Sequence, residues 1–322
     1  MTTGNDTART TIVVITWRGA QHITACLDAV ATQTRAHRIL VVDNASDDGT
    51  ADLLAAHPSR PAVTRLPANT GYAGGLAAAL PEVGTELVAW LNDDTVPRPD
   101  WLARLEDALD ADPAAAAASA RMESADGEPI SLGVILTGRG YGSDINTDLT
   151  EPTDVFGFCG GAALLRTAEL VAAGGVPARF FCYYEDTDTS WRLRLRGRSV
   201  LAVPEARVVH RHGASSRPGS REFHRWNERN RLYMLIRCAP AAVAVRECAR
   251  FAALTAVLPL RRLLGGPVPA AWNFRTGLRL RVLGEVLGRL VPLARERRAV
   301  ARRATVPRAA VWQVVNSTGY RS

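Results

Sequence analysis

A chain of 322 residues, 47% hydrophobic and 22% charged, has apolar material for a folded core of about two domains, which excludes the disordered and fibrous classes. Its five cysteines (Cys26, Cys159, Cys182, Cys238 and Cys248) are scattered and form no CxxC pair, which argues against a disulfide framework or a zinc site and fits a reducing compartment. The formal net charge of +7 is uneven, because residues 243–322 carry fifteen arginines against three glutamates; so basic a tail points to an anionic partner surface, membrane or nucleic acid.

The N-terminus is polar and shows no signal peptide, and no apolar run approaches the length of a spanning helix. Residues 11–16 (TIVVIT) form a β-branched run and predict the first strand. Residues 21–33 place Ile23, Leu27 and Val30 at helical spacing. Residues 38–42 predict a second strand, ending in Asp43-Asn44-Ala45-Ser46-Asp47-Asp48-Gly49-Thr50. That is turn chemistry, and it caps a helix over 51–56. A short third strand is expected over 63–66. Asn69 to Gly75 (NTGYAGG) reads as a glycine-rich loop leading into an alanine-rich helix. The apolar run 87–91 is a fourth strand, and it runs straight into Asn92-Asp93-Asp94-Thr95. This alternation predicts a parallel sheet covered by helices, an α/β fold.

A helix is expected over 101–109, after the turn Pro97-Arg98-Pro99-Asp100. Residues 123–154 read as a long loop or β-hairpin region at the substrate face, and 157–166 as a loop entering a strand. The aromatic run 180–184 leads into Glu185-Asp186-Thr187-Asp188, with a helix over 190–196. Residues 199–203 and 206–209 read as edge strands before His210-Arg211-His212. Near residue 240 the composition changes. Helices are expected over 241–264 and 274–293, broken by Pro259 and by Gly265-Gly266-Pro267. The expected division is 1–240 and 241–322.

Each motif has a plain reading beside a chemical one. Asp93 and Asp94 stand where open α/β sheets bind ligands. Adjacent carboxylates there repel and are poorly solvated, so a divalent cation is a natural partner. Asp43 either closes a turn or accepts a hydrogen bond from a nucleobase. The glycines of 71–75 either make a turn or let backbone approach a nucleotide, and they fit neither the dinucleotide nor the P-loop pattern. Glu185, Asp186 and Asp188 fit a helix N-terminus, whose dipole favours negative charge. His210 and His212 are either satisfied strand-end histidines or metal ligands.

The order of TW, DNASDDGT, NTGYAGG, LNDDT, GFCGGAALLR, FFCYYEDTDTSWRLRLRG and VVHRHGASS resembles the GT-A-fold family 2 glycosyltransferases, particularly their bacterial rhamnosyltransferase-like branch, over roughly residues 10–240. The resemblance implies a GT-A fold with a C-terminal helical extension. It implies an inverting transferase that uses a nucleotide-diphosphate sugar, with rhamnose favoured, and a glycan or lipid-linked acceptor in cell-envelope polysaccharide synthesis. Carried over, Thr16 and Trp17 line the nucleotide pocket, Asp43 reads the base, and Asn69 with Gly71 and Gly74 flanks the nucleotide. Asp93 approaches the ribose. Asp94 ligates a divalent cation, Mg2+ or Mn2+, with help from His210. Asp186 is the catalytic base, and Gly160, Gly161 and Glu185 border the sugar and acceptor pocket. The chain departs from the pattern at Asn92, which replaces the first carboxylate of a DxD motif, and at Leu76, where many relatives have Asn.

Two other classes stand beside this one: a sugar nucleotidyltransferase, and a non-catalytic basic adaptor binding membrane or nucleic acid through the tail. The first lacks a basic glycine-rich N-terminal loop, since residues 16–20 (TWRGA) hold one arginine and one glycine. For the tail the expectation is peripheral membrane contact rather than nucleic acid, through an apolar stripe of Val282, Leu283, Val286, Leu287 and Leu290 beside Arg279, Arg281 and Arg289. The alternative is a helical cap or oligomer interface. The expected location is cytoplasmic, against the inner membrane face.

Overall fold

The computed structural model describes residues 8–211 and 219–317. The first half alternates strand and helix: β1 (Thr10–Thr16), α1 (Ile23–Ala31), β2 (His37–Asp43), α2 (Thr50–Ala56), β3 (Ala62–Arg65), α3 (Gly71–Ala79), β4 (Leu87–Asn92), β5 (Thr95–Pro97) and α4 (Trp101–Ala111). Then come β6 (Ala115–Glu123), β7 (Pro129–Ser131), β8 (Val134–Leu136), β9 (Gly142–Asp144), β10 (Thr153–Asp154), β11 (Ala162–Arg166), α5 (Thr167–Ala172), α6 (Glu185–Leu195) and β12 (Ser199–His210). Five helices close the described chain: α7 (Arg221–Cys238), α8 (Ala241–Leu263), α9 (Thr276–Leu287), α10 (Leu290–Arg303) and α11 (Arg308–Ser317).

The main sheet runs β10-β12-β6-β11-β4-β1-β2-β3. Strands β3, β2, β1 and β4 are parallel neighbours, as are β6 and β12. Strand β11 lies antiparallel between β4 and β6. Alternate residues of each strand feed opposite faces. Ile12, Val14, Ala89, Leu91 and Leu164 pack against α1 and α4, while Val13, Ile15, Trp90 and Leu165 pack against α3 and α5. A third cluster joins α6 and α7 to the C-terminal helices.

The structure corrects several expectations. The glycines of 71–75 are not a loop but the first turns of α3. The segments expected as two edge strands are one strand, β12, flanked by β6 and β10. Its register shifts between Val203 and Arg207, around Pro204, which has no N–H to give a ladder. Helix α6 begins at Glu185 rather than at 190, so the acidic residues fill its first turn. Pro259 sits inside α8 without ending it; the chain leaves the helix only at Leu264-Gly265-Gly266. The expected helix over 274–293 is two helices, α9 and α10. The apolar stripe expected to face a membrane packs inward: Val282 and Val286 are buried, Leu283 packs against them, and only Leu287 and Leu290 are exposed. The hairpin expected within 123–154 is present as β8–β9. No helix among the described residues is long and apolar enough to cross a membrane.

Candidate active site

Parallel pairing in register brings the carboxyl ends of β1, β2 and β4 side by side, with Thr16 opposite Asp43 and Ile15 opposite Asn92. Polar residues leave all three strands at this edge. Thr16 Oγ1 donates to Asp93 Oδ2 at 2.6 Å, and both residues are buried. Burial pushes the Asp93 carboxyl up to about 7; the Thr16 hydrogen bond opposes this and the charge of Asp94 adds to it. Gly19 is what lets the pair close. A Cβ there would stand 2.2 Å from Thr16 Oγ1 and 2.4 Å from Asp93 Oδ2.

The segment after β1 docks on the acidic turn after β2. The Arg18 N–H donates to Ser46 Oγ, the Ala20 N–H donates to Asp48 Oδ2, and the Arg18 guanidinium pairs with Asp47 at 2.6 Å. That guanidinium also lies 5.0 Å from the ring centre of the partly buried Trp17. Asp43 is buried with both oxygens engaged, accepting from the Ser46 N–H and from Arg65 Nη1, each at 2.8 Å. It therefore closes a turn and holds Arg65, whatever else it meets.

Asn44, to which the sequence assigns no role, is the clamp of this edge. Its Oδ1 accepts from the Thr70 N–H at 2.8 Å and its Nδ2 donates to the Gly71 carbonyl at 2.9 Å. Asn69 Oδ1 accepts from the Gly71 N–H at 2.8 Å. Gly71 has φ +74°, and a Cβ there would lie 2.2 Å from the Phe181 carbonyl oxygen. Only glycine fits on both counts. Gly74 packs its backbone on the Thr70 side chain.

Asp94 and His210 are 116 residues apart and meet because β12 pairs with β5, His210 opposite Thr95. Their Oδ1···Nε2 distance is 3.1 Å. Burial pushes Asp94 upward, but the hydrogen bond and charge of His210, with His22 adding to them, hold it below its ordinary value. His212 falls outside the described residues.

Gly160 and Gly161 connect this edge to Asp186. The Asn92 N–H donates to the Gly161 carbonyl at 3.0 Å, and the Gly160 N–H donates to Asp186 Oδ2 at 2.9 Å. Tyr72, on α3, donates to the Gly160 carbonyl at 2.6 Å. Asp186 Oδ1 accepts from the Thr187 N–H and hydroxyl, yet burial still raises the Asp186 carboxyl above its ordinary range. Glu185 is more deeply buried, and its Oε2 has no hydrogen-bond partner among the described residues. Burial, with the neighbouring charge of Asp186, raises it well above the usual carboxylate value.

The approach to Glu185 is unusual backbone. Phe181, Tyr183 and Tyr184 have φ of 67°, 71° and 69°, and non-glycine residues persist there only when their surroundings over-determine them. Asn230, on α7, does this: its Nδ2 donates to the carbonyls of Phe180, Cys182 and Tyr183 at 2.8–2.9 Å. Trp226 packs at a tilt on Phe181, and Phe223 meets Tyr183 edge-on.

Asp94 and His210 provide one carboxylate and one imidazole. Among the described residues no group of three or more His, Cys, Asp or Glu is placed to hold a metal. This partial set fits Mg2+ or Mn2+ completed by phosphate oxygens and water, and not an all-protein cage.

Residues 11–170 match the family described as Glycosyl transferase family 2. The match covers just under half of the chain and stops short of Asp186 and His210. No curated protein matches the chain. Among solved structures it is similar to GalNAc-T7 with UDP, GalNAc and Mn2+ (12% identity, TM-score 0.60, 89% of this chain); the chain spans 58% of that protein. It is also similar to the mannosyltransferase PcManGT from Pyrobaculum calidifontis with GDP-Man and Mn2+ (22% identity, TM-score 0.52, 98% of this chain and 81% of that one). A third is S. aureus TarS 1–349 with UDP-GlcNAc (19% identity, TM-score 0.53, 97% and 93%). These likenesses give the GT-A fold, a mostly parallel sheet flanked by helices.

Proposed function

We propose that this protein is a glycosyltransferase that moves a sugar from a nucleotide-diphosphate donor to an acceptor hydroxyl with inversion, using a divalent cation. The observation that carries the reading is the Gly160-Gly161 bridge, which ties the strand edge bearing Asp94 to the carboxylate of Asp186. The nucleotides and Mn2+ in the GalNAc-T7 and PcManGT structures support the choice of donor and cation.

In this reading Asp94 and His210 hold the cation. When bound, it supplies neutralising charge to the leaving diphosphate. Thr16, Trp17, Asn69, Gly71 and Gly74 line the nucleotide, Asp43 keeps one lone pair for the base, and Asp93 meets the ribose. Asp186 takes the proton of the acceptor hydroxyl as that oxygen bonds to the anomeric carbon and the bond from that carbon to the diphosphate breaks. Glu185, Gly160 and Gly161 border the sugar.

Incubation with donor and acceptor should release nucleoside diphosphate and give a product of opposite anomeric configuration. Mg2+ or Mn2+ should be required, and Asp94→Asn should weaken the response to added cation. Pyrophosphate release instead would mark nucleotidyl transfer and overturn the reading.

Rhamnose as the sugar, and a glycan or lipid-linked acceptor in cell-envelope synthesis, are supported by the sequence resemblance. A thermal-shift screen of nucleotide sugars with either cation tests the donor, the largest rise being expected for dTDP-rhamnose. Peripheral membrane contact through 241–322 is supported by exposed Leu260, Leu263 and Leu264 beside Arg261 and Arg262 rather than by the buried stripe. Flotation with anionic vesicles tests it, and no binding would remove it.

A further inference from the structure

A cavity of about 190 Å³ that contains none of the candidate site residues is lined by Arg179, Arg225, Arg229, Tyr233, Glu285 and Arg289. Four arginines face a single carboxylate there. Glu285 is already shared, accepting from Arg225 Nε at 2.8 Å and from Arg281 Nε at 3.2 Å. Arg179, at the rim, pairs with Glu296. Arg229 stands 3.7 Å from Glu285 and spends Nη2 on the Phe180 carbonyl. The Arg289 guanidinium has no hydrogen bond or ion pair among the described residues, its backbone alone being bonded.

Such a lining is short of negative charge. Burial lowers the affinity of Arg229 for its proton, and Arg225 and Arg289 push the same way, against Tyr233 and Glu285. Guanidinium groups match the oxygens of a phosphoryl group in pairs, and this is the anion such forks hold best. Beside the cavity, Leu287, Leu290 and Val291 flank Arg289 in sequence and are exposed.

We propose that this cavity binds the phosphoryl group of a phosphate monoester or diphosphate through Arg225, Arg229 and Arg289, with Arg179 at its mouth. The group has two sources with the same chemistry: a soluble phosphate, or a lipid phosphate whose hydrocarbon rests on Leu287, Leu290 and Val291. The inference does not rest on the sugar-transfer reading. Occupancy would bear on the Glu185-Asp186 segment, because Arg229 also holds the Phe180 carbonyl just ahead of it.

The test uses the full chain in EDTA, so that a cation-dependent diphosphate site contributes nothing. Inorganic phosphate and pyrophosphate are titrated by calorimetry, and flotation compares phosphatidylcholine vesicles with and without phosphatidic acid. The double variant Arg179→Gln, Arg289→Gln alters two exposed side chains, and its melting temperature checks the fold. Wild type should bind, and the variant should bind roughly tenfold or more weakly, a change of about 1.4 kcal/mol or more. Variant-sensitive binding of phosphate or pyrophosphate alone supports the soluble source. Variant-sensitive flotation that needs phosphatidic acid supports the lipid source. No binding to either probe, or equal binding by the folded variant, overturns the proposal.

Discussion

The base role proposed for Asp186 sets reactivity against stability in one side chain. Burial raises its carboxyl above the ordinary 3.8, so the folded state holds the proton more tightly than the unfolded chain does. Stability is therefore lost as pH rises through the raised value, and above it the ionised group is a cost. A base must be ionised, so activity runs the other way: kcat/KM should fall as pH drops through that same value, which lies above the range of a free aspartate. Asp186→Asn should lower kcat by about 10²–10⁴ with donor affinity kept. Its melting temperature at neutral pH should change little, because removal of the charge penalty offsets the loss of one acceptor oxygen facing the Gly160 or Thr187 N–H. A variant that keeps its turnover would remove Asp186 from the base role. At the other end of the site, Gly19→Ala would force a methyl between Thr16 and Asp93. Overpacking of this kind costs about 1–3 kcal/mol, so both thermal stability and nucleotide-sugar affinity should fall. An unchanged donor titration would show that the Thr16–Asp93 contact is irrelevant to the donor.

At the scale of elements, helix α7 holds the segment ahead of Glu185 and Asp186 from outside the sheet. Asn230→Ala would take the shared donor from the Cys182 and Tyr183 carbonyls, while that of Phe180 keeps Arg229 Nη2, in a segment already at positive φ. Each lost buried partner costs about 1–3 kcal/mol. The melting temperature and kcat should therefore both fall while donor KM holds; a rise in donor KM alone would place the effect at the nucleotide instead. Nothing in the sequence announces this helix. Its buried face carries Arg229, Asn230 and Arg231 among the apolar residues, so the usual periodicity is missing. Strands β1, β2 and β4 were legible because they are apolar runs ended by polar clusters. The start of α3 was not, since glycines open it and its support comes from Asn44 and the Phe181 carbonyl, both distant in sequence. The strand-end carboxylates could be read directly, whereas the meeting of Asp94 with His210 depends on β5–β12 pairing that no local pattern reveals. Gly19 and Asn44 act on groups brought near only by folding, and a lone glycine or asparagine in a turn carries no such signal.

For the whole molecule, helices on both sides of residue 240 share one apolar cluster. Trp191 on α6 is fully buried and stacks on Trp312 of α11, with ring centres 5.7 Å apart and planes 10° apart. The N–H groups of Thr305 and Val306 both donate to the Leu195 carbonyl. Arg237 joins Asp188 in the first turns of α6 to Glu296 of α10. The C-terminal helices thus complete the packing around the helix that carries Asp186, and they should melt with it. Trp312→Ala deletes most of one ring stack from a buried cluster, a loss of about 3 kcal/mol. In a chain of this size that corresponds to a fall of about 4–5 °C in melting temperature. Calorimetry should show one transition, displaced as a unit, with kcat reduced at temperatures where the variant begins to open. Two transitions, only the smaller of them moved by the substitution, would show instead that residues 241–317 fold apart from the sheet and that Asp186 is held without them.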